Sequence, residues 1–88
     1  MCALEKMISC ELSFTPLGST DYEADVDKVI RVIEASALTY TVGAFATVVQ
    51  GSKKEVFKLI EAVYDEIEDD GSFVLGVKLS NACGCGVK

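Results

Sequence analysis

The chain has 88 residues, half hydrophobic and a quarter charged, which is the balance of a globular domain and not of a disordered chain. Fourteen acidic residues against eight basic ones leave a formal charge of −6, which repels nucleic-acid phosphates and suits a cationic small molecule. Histidine and tryptophan are absent, so the commonest general base and the commonest metal ligand are missing together.

From about Lys6 to Thr15 apolar and polar residues alternate: Ile8, Cys10, Leu12 and Phe14 against Ser9, Glu11, Ser13 and Thr15. That period is a strand with one buried and one open face. Pro16 ends it and Gly18 turns the chain away. Thr20 with Glu23 fits a capping box, and Tyr22, Val26, Val29, Ile30, Ile33 and Ala37 form one apolar helical stripe. Leu38 to Ala44 and Phe45 to Gln50 read as two short strands joined near Gly43-Ala44, with Gly51 closing the second. Ser52 and Glu55 form a second capping box. The stripe after it is Val56, Leu59, Ile60, Val63, Tyr64 and Ile67. Acidic residues from Glu66 to Asp70 crowd the end of that helix, where the macrodipole disfavours them, and Gly71 is the expected stop. Phe73 to Ser80 is the last strand, with Phe73, Leu75, Val77 and Leu79 on one face. Asn81 to Lys88 reads as a tail.

The order strand, helix, strand, strand, helix, strand predicts an α+β, ferredoxin-like βαββαβ sandwich: one domain spanning 1–88, a four-stranded antiparallel sheet and two helices on one face. Right-handed crossovers put the first and third strands at its centre. The other sheet face is left for a ligand or a second subunit. No basic segment precedes an apolar run, and no apolar stretch reaches the ~20 residues that span a bilayer. A cytoplasmic, reduced protein with no membrane or nucleic-acid partner is expected, with Cys2, Cys10, Cys83 and Cys85 as free thiols.

Three segments in this order carry a family resemblance: Leu12-Ser-Phe-Thr-Pro-Leu-Gly18; Ala46-Thr-Val-Val-Gln-Gly-Ser52 leading into Glu55-Val-Phe57; and Gly76-Val-Lys-Leu-Ser80 with Cys83 and its glycines. Together they resemble the YkoF-like family, whose members bind thiamine or its hydroxymethylpyrimidine part. The resemblance runs from Met7 to Gly86. YkoF-like proteins carry two such domains in tandem, and this sequence holds one. The resemblance therefore implies a homodimer or homotetramer. A related single-domain group often has glutamate where this chain has Gln50.

Thiamine joins a cationic thiazolium to an aminopyrimidine with a donor-acceptor edge. A binder supplies carboxylate or amide groups to that edge, hydroxyls elsewhere, and an apolar surface for the rings. The open face offers Glu11, Ser13 and Thr15 from the first strand, Thr47 from the third if it points outward, Gln50, and Ser80 with Asn81 from the last. Glu11 is the strongest candidate for the cation or the pyrimidine edge, and its competing reading is a cross-strand ion pair with Lys78. Tyr22, Phe45 and Phe57 are candidates for stacking on a ring, although Tyr22 and Phe57 sit close to helical core positions. Cys83-Gly-Cys85 lacks the usual metal-ligand spacing, so no metal or cofactor is expected. The function implied is non-catalytic binding of thiamine or its hydroxymethylpyrimidine moiety, as a carrier or buffer in transport or salvage. The alternative is an oligomerising structural or regulatory subunit without a ligand. No nucleophile sits beside a base and no phosphate loop is present, so an enzyme ranks last.

Overall fold

The computed structural model describes residues 7–18 and 21–82. Strand β1 (Met7–Pro16), helix α1 (Tyr22–Ala35), strands β2 (Thr39–Val42) and β3 (Thr47–Ser52), helix α2 (Lys53–Ile67) and strand β4 (Phe73–Ser80) follow in chain order. The strands make one antiparallel sheet, β2-β3-β1-β4, with β1 and β3 central as the crossover argument requires. The fold is the ferredoxin-like α+β sandwich.

The alternation of β1 sets the two faces. Cys10 and Leu12 are buried on the helix side, and Ser9, Glu11 and Ser13 take the other. Pro16, expected just past a strand ending at Thr15, is the strand's last residue, opposite Phe73, where a missing N–H is tolerated. Burial pushes the Cys10 thiol up from its usual range, with the Glu11 charge adding to it, so this cysteine is a core residue rather than a reactive one.

Helix α1 starts on a different cap from the one expected. Its first residue is Tyr22, so the N-cap is Asp21, whose Oδ1 accepts from Ala24 N–H at 3.1 Å. Thr20 lies outside the described residues. Val29 and Ile33 are fully buried, Val26 and Ile30 are half-buried, and Tyr22 is exposed. Ala37 falls off the predicted stripe because the helix ends at Ala35 and Ala37 turns left-handed at φ +65°. That conformation costs a residue with a Cβ about 1 kcal/mol. Ala37→Gly is therefore expected to raise stability by up to about 1 kcal/mol, read as a higher midpoint in urea denaturation.

Strand β2 is shorter than its sequence reading, Leu38–Ala44, and β3 keeps the length of its reading, Phe45–Gln50, but lies two residues later. Residues 43–46 are consumed by the turn, where Gly43 N–H donates to Ala46 O at 2.9 Å. Gly51 does not close β3. It sits inside the strand opposite Ile8, fully buried, and a Cβ there would lie 2.2 Å from Leu38 Cδ2. Ser52 is both the last residue of β3 and the N-cap of α2, accepting from Glu55 N–H at 3.3 Å. Val56, Leu59, Val63 and Ile67 of α2 are buried against the sheet. Tyr64 is half-exposed, its ring meeting Phe73 edge-on at 5.2 Å. The acidic end of α2 is tied to α1 by an ion pair between Lys28 and Asp70. The hydrogen bond to Asp70 holds the Lys28 ammonium above the usual lysine range.

Candidate functional site

Registers across the sheet decide which side chains share the open face, because residues directly opposite in an antiparallel pair point the same way. Thr39, Gln50, Ser9 and Ser80 form one row across all four strands. Thr41, Val48, Glu11 and Lys78 form the next. Ser13 stands opposite Gly76, and Thr15 opposite Val74. Glu11, Ser13, Thr15, Gln50 and Ser80 therefore come together on one solvent-facing surface, uncovered by either helix.

The geometry within this surface is specific. Gln50 Nε2 donates to Ser9 Oγ at 3.2 Å, which fixes the amide across the β1–β3 seam. Lys78 Nζ lies 3.9 Å from Glu11 Oε1, at the limit of an ion pair, with the lysine side chain 86% exposed. Such a contact is worth about 1 kcal/mol or less and yields readily to another cation. Gly76 clears space for Ser13, since a Cβ at Gly76 would lie 2.6 Å from Ser13 Oγ. The Ser80 hydroxyl accepts from Ala82 N–H at 3.0 Å, so it is partly committed to the chain leaving β4.

Two expected residues do not join this surface. Thr47 pairs with Leu12 on the helix side and is 7% exposed, because Thr47 and Gln50 are three apart on one strand and must face opposite ways. Asn81 follows the end of β4 and lies beyond the rows. Thr39, Thr41 and Val48 are on the surface but were not singled out from the sequence. Cys2, Cys83 and Cys85 lie outside the described residues.

The ladder between β1 and β3 stops at Leu12–Thr47, while β1 continues alone beside β4 to Pro16. Where β3 is missing, a cavity of about 120 Å³ opens between β1, α1 and the 43–46 turn. Ser13, Thr47, Tyr22 and Phe45 all border it, with Phe14 and Ile30 among its apolar walls. Phe45 is 95% exposed at the tip of the turn, free to lie over a planar group. The cavity is smaller than the roughly 300 Å³ at the low end of drug-sized sites, so it takes a single ring. Phe57, on α2, is not part of it. Ser13 borders this cavity and its register places it on the open face, whereas Leu12, Val29 and Ile33, which also line the cavity, belong to the helix side of the sheet.

A second cavity, of about 250 Å³, lies where β1 ends, α1 begins and α2 finishes. Asp21, Asp25 and Asp70 border it together with the Phe14 and Phe73 rings. Asp21 and Asp70 already serve the α1 cap and the Lys28 pair.

Solved structures confirm the architecture. A Streptococcus pneumoniae protein superposes with a TM-score of 0.83 at 22% identity, covering 92% of each chain. A domain of unknown function from Bacillus cereus gives 0.78 at 22% identity, covering all of this chain and 88% of that one. A Thermotoga maritima candidate thiamine biosynthesis/salvage protein gives 0.79 at 19% identity, covering 93% of this chain and 89% of its own. At these identities the likeness establishes the fold. Among curated proteins, none matches. A family described as thiamine-binding protein matches residues 10–79, a span that contains the row of Thr41, Val48, Glu11 and Lys78 and the cavity beside Ser13, and stops short of Ser9 and Ser80 of the neighbouring row. The chain belongs to the thiamine-binding protein family.

Proposed function

We propose that this chain binds thiamine or its hydroxymethylpyrimidine moiety without chemical conversion, as a cytoplasmic carrier or buffer in thiamine transport or salvage. The observation that carries the reading is the family match over residues 10–79. The geometry supports it in three ways. Glu11 is a carboxylate held only loosely by Lys78, so a thiazolium or a protonated amine can take its place. Ser13, Gln50 and Thr41 present hydroxyl and amide groups around it. The cavity beside Ser13 admits one ring, with Tyr22 and Phe45 at its rim.

No described histidine, activated nucleophile or phosphate loop accompanies these groups, so the reading is binding rather than turnover. Isothermal titration with thiamine and, separately, hydroxymethylpyrimidine tests it. Saturable heat is expected for both, with intact ligand recovered afterwards. Absence of heat at millimolar ligand, or recovery of a cleaved product, would contradict the proposal. The alternative of a purely structural subunit predicts no heat with either ligand.

A further inference from the structure

Among the described residues Thr47 is the only polar one that is buried. Its partners across the ladders are Leu12 on β1 and Val42 on β2, both apolar. Valine would fill the same volume without a polar atom, and a buried hydroxyl costs free energy unless it is hydrogen-bonded. Packing alone therefore does not call for threonine here. The Thr47 side chain has no hydrogen bond among the described residues, yet no side-chain oxygen there is both sealed from solvent and unpaired. The hydroxyl is thus open to the space that Thr47 borders, the cavity of about 120 Å³ between β1, α1 and the 43–46 turn. Leu12, Val29 and Ile33, all buried, form the inner wall of that cavity, and Tyr22 and Phe45 stand at its rim. No carboxylate or amine side chain among the described residues lines it. A cation entering would lose its hydration without gaining a counter-charge, so an uncharged ring is admitted and a thiazolium is kept out. The wider α2–β4 groove, about 550 Å³ between Ile60, Tyr64, Leu75 and Val77, has no buried polar side chain of this kind.

We infer that Thr47 is a specificity-determining residue, its hydroxyl held for the polar edge of a neutral nitrogen heterocycle seated in this cavity. The inference rests on the binding role proposed above and adds which ring enters and which side chain reads it. A hydroxyl is both donor and acceptor, so it can donate to a ring nitrogen or accept from an exocyclic amine. An aminopyrimidine carries both groups on one edge. A hydrocarbon ring of the same size carries neither, and on entering it would leave the Thr47 hydroxyl unpaired and cut off from water. Discrimination then comes from the unpaired polar group, which separates ligands more sharply than apolar shape does. The threonine methyl group meanwhile continues the apolar wall. The side chain that the fold has least use for is the one that gives the cavity its chemical preference.

Calorimetric titration of the full chain with hydroxymethylpyrimidine and, separately, with toluene tests the assignment. Thr47→Val is expected to weaken hydroxymethylpyrimidine binding about tenfold, the worth of one hydrogen bond to a group otherwise left unpaired. The same variant is expected to leave the weaker toluene affinity unchanged or raised. Thr47→Ser keeps the hydroxyl and is expected to recover most of the pyrimidine affinity. Because the hydroxyl has no partner in the fold, ligand-free Thr47→Val is expected to keep or exceed the wild-type Tm. Equal pyrimidine affinity for wild type and Thr47→Val, an equal loss for both rings, or a lowered Tm of ligand-free Thr47→Val would each overturn the role of Thr47 and leave the binding role standing. A wild type that does not bind hydroxymethylpyrimidine would remove the binding role itself, and this inference with it.

Discussion

Valine at Gly51 is expected to destabilise the fold by about 3 kcal/mol, the upper end of what overpacking a close-fitted core costs. The Cβ position of residue 51 lies 2.2 Å from Leu38 Cδ2 and 3.5 Å from Leu38 Cγ. Leu38 is itself buried at 7% exposure and packs with the main core cluster, so its methyl group must move against packed neighbours to make room. Strand propensity argues the other way, since valine favours strands and glycine does not. That whole scale spans only about 1 kcal/mol, and the steric term wins. For a domain of this size the change corresponds to a fall in Tm of roughly 12–24 °C. Thermal unfolding followed by circular dichroism measures it. Leu38→Ala in the same chain is expected to recover at least about 1 kcal/mol relative to additivity, because the two residues contend for one volume. An unchanged or higher Tm for Gly51→Val would mean that Leu38 does not pack over β3 as described.

The second large effect concerns Glu11 and is one of opposite signs. Glu11→Gln removes the charge from the open face while keeping its size, and is expected to weaken thiamine binding by roughly 10- to 100-fold. That is the equivalent of losing one charge-assisted hydrogen bond of about 1.5–3 kcal/mol. Lys78→Ala removes the competing cation 3.9 Å away and is expected to tighten binding by up to about fivefold, the worth of an exposed ion pair. Neither residue is buried, so both variants are expected to keep the wild-type Tm within about 0.5 kcal/mol of stability. Titration calorimetry at fixed ionic strength reads both. Equal affinities for the two variants and the wild type would remove Glu11 from the site.

The sheet order, both helices and the sidedness of β1 were legible from periodicity, because β1 alternates strictly and the two helices carry clean apolar stripes. The turn at 43–46 was less so. Phe45 and Ala46 look like strand residues by composition, and only the hydrogen bond from Gly43 to Ala46 reserves them for the reversal. That two-residue displacement of β3 hid the place of Gly51, whose reason is a long-range contact with Leu38 that no local pattern announces. The orientation of Thr47 was within reach. Thr47 and Gln50 are separated by an odd number of positions on one strand, so choosing Gln50 for the open face excludes Thr47. The same parity selects Val48. Thr39 and Thr41 follow only from the β2–β3 register, which pairs them with Gln50 and Val48. Ser19, Thr20 and Asp21 are all suited to capping, and Thr20 with Glu23 makes a passable capping box one residue before the Asp21 cap, so local pattern does not separate them. The ring-sized cavity arises from the ladder ending at Leu12–Thr47 while β1 runs on, a mismatch of strand lengths visible only once register is known.

Amide chemical-shift mapping during a thiamine titration tests the placement of the ligand most directly. The largest changes are predicted at residues 11–15 of β1, 45–50 of the turn and β3, and Gly76 of β4, with the α2–β4 groove undisturbed. Shifts confined to the acidic cavity around Asp25 and Asp70, or to Ile60 and Tyr64, or none at millimolar thiamine, would contradict an open-face site beside Ser13.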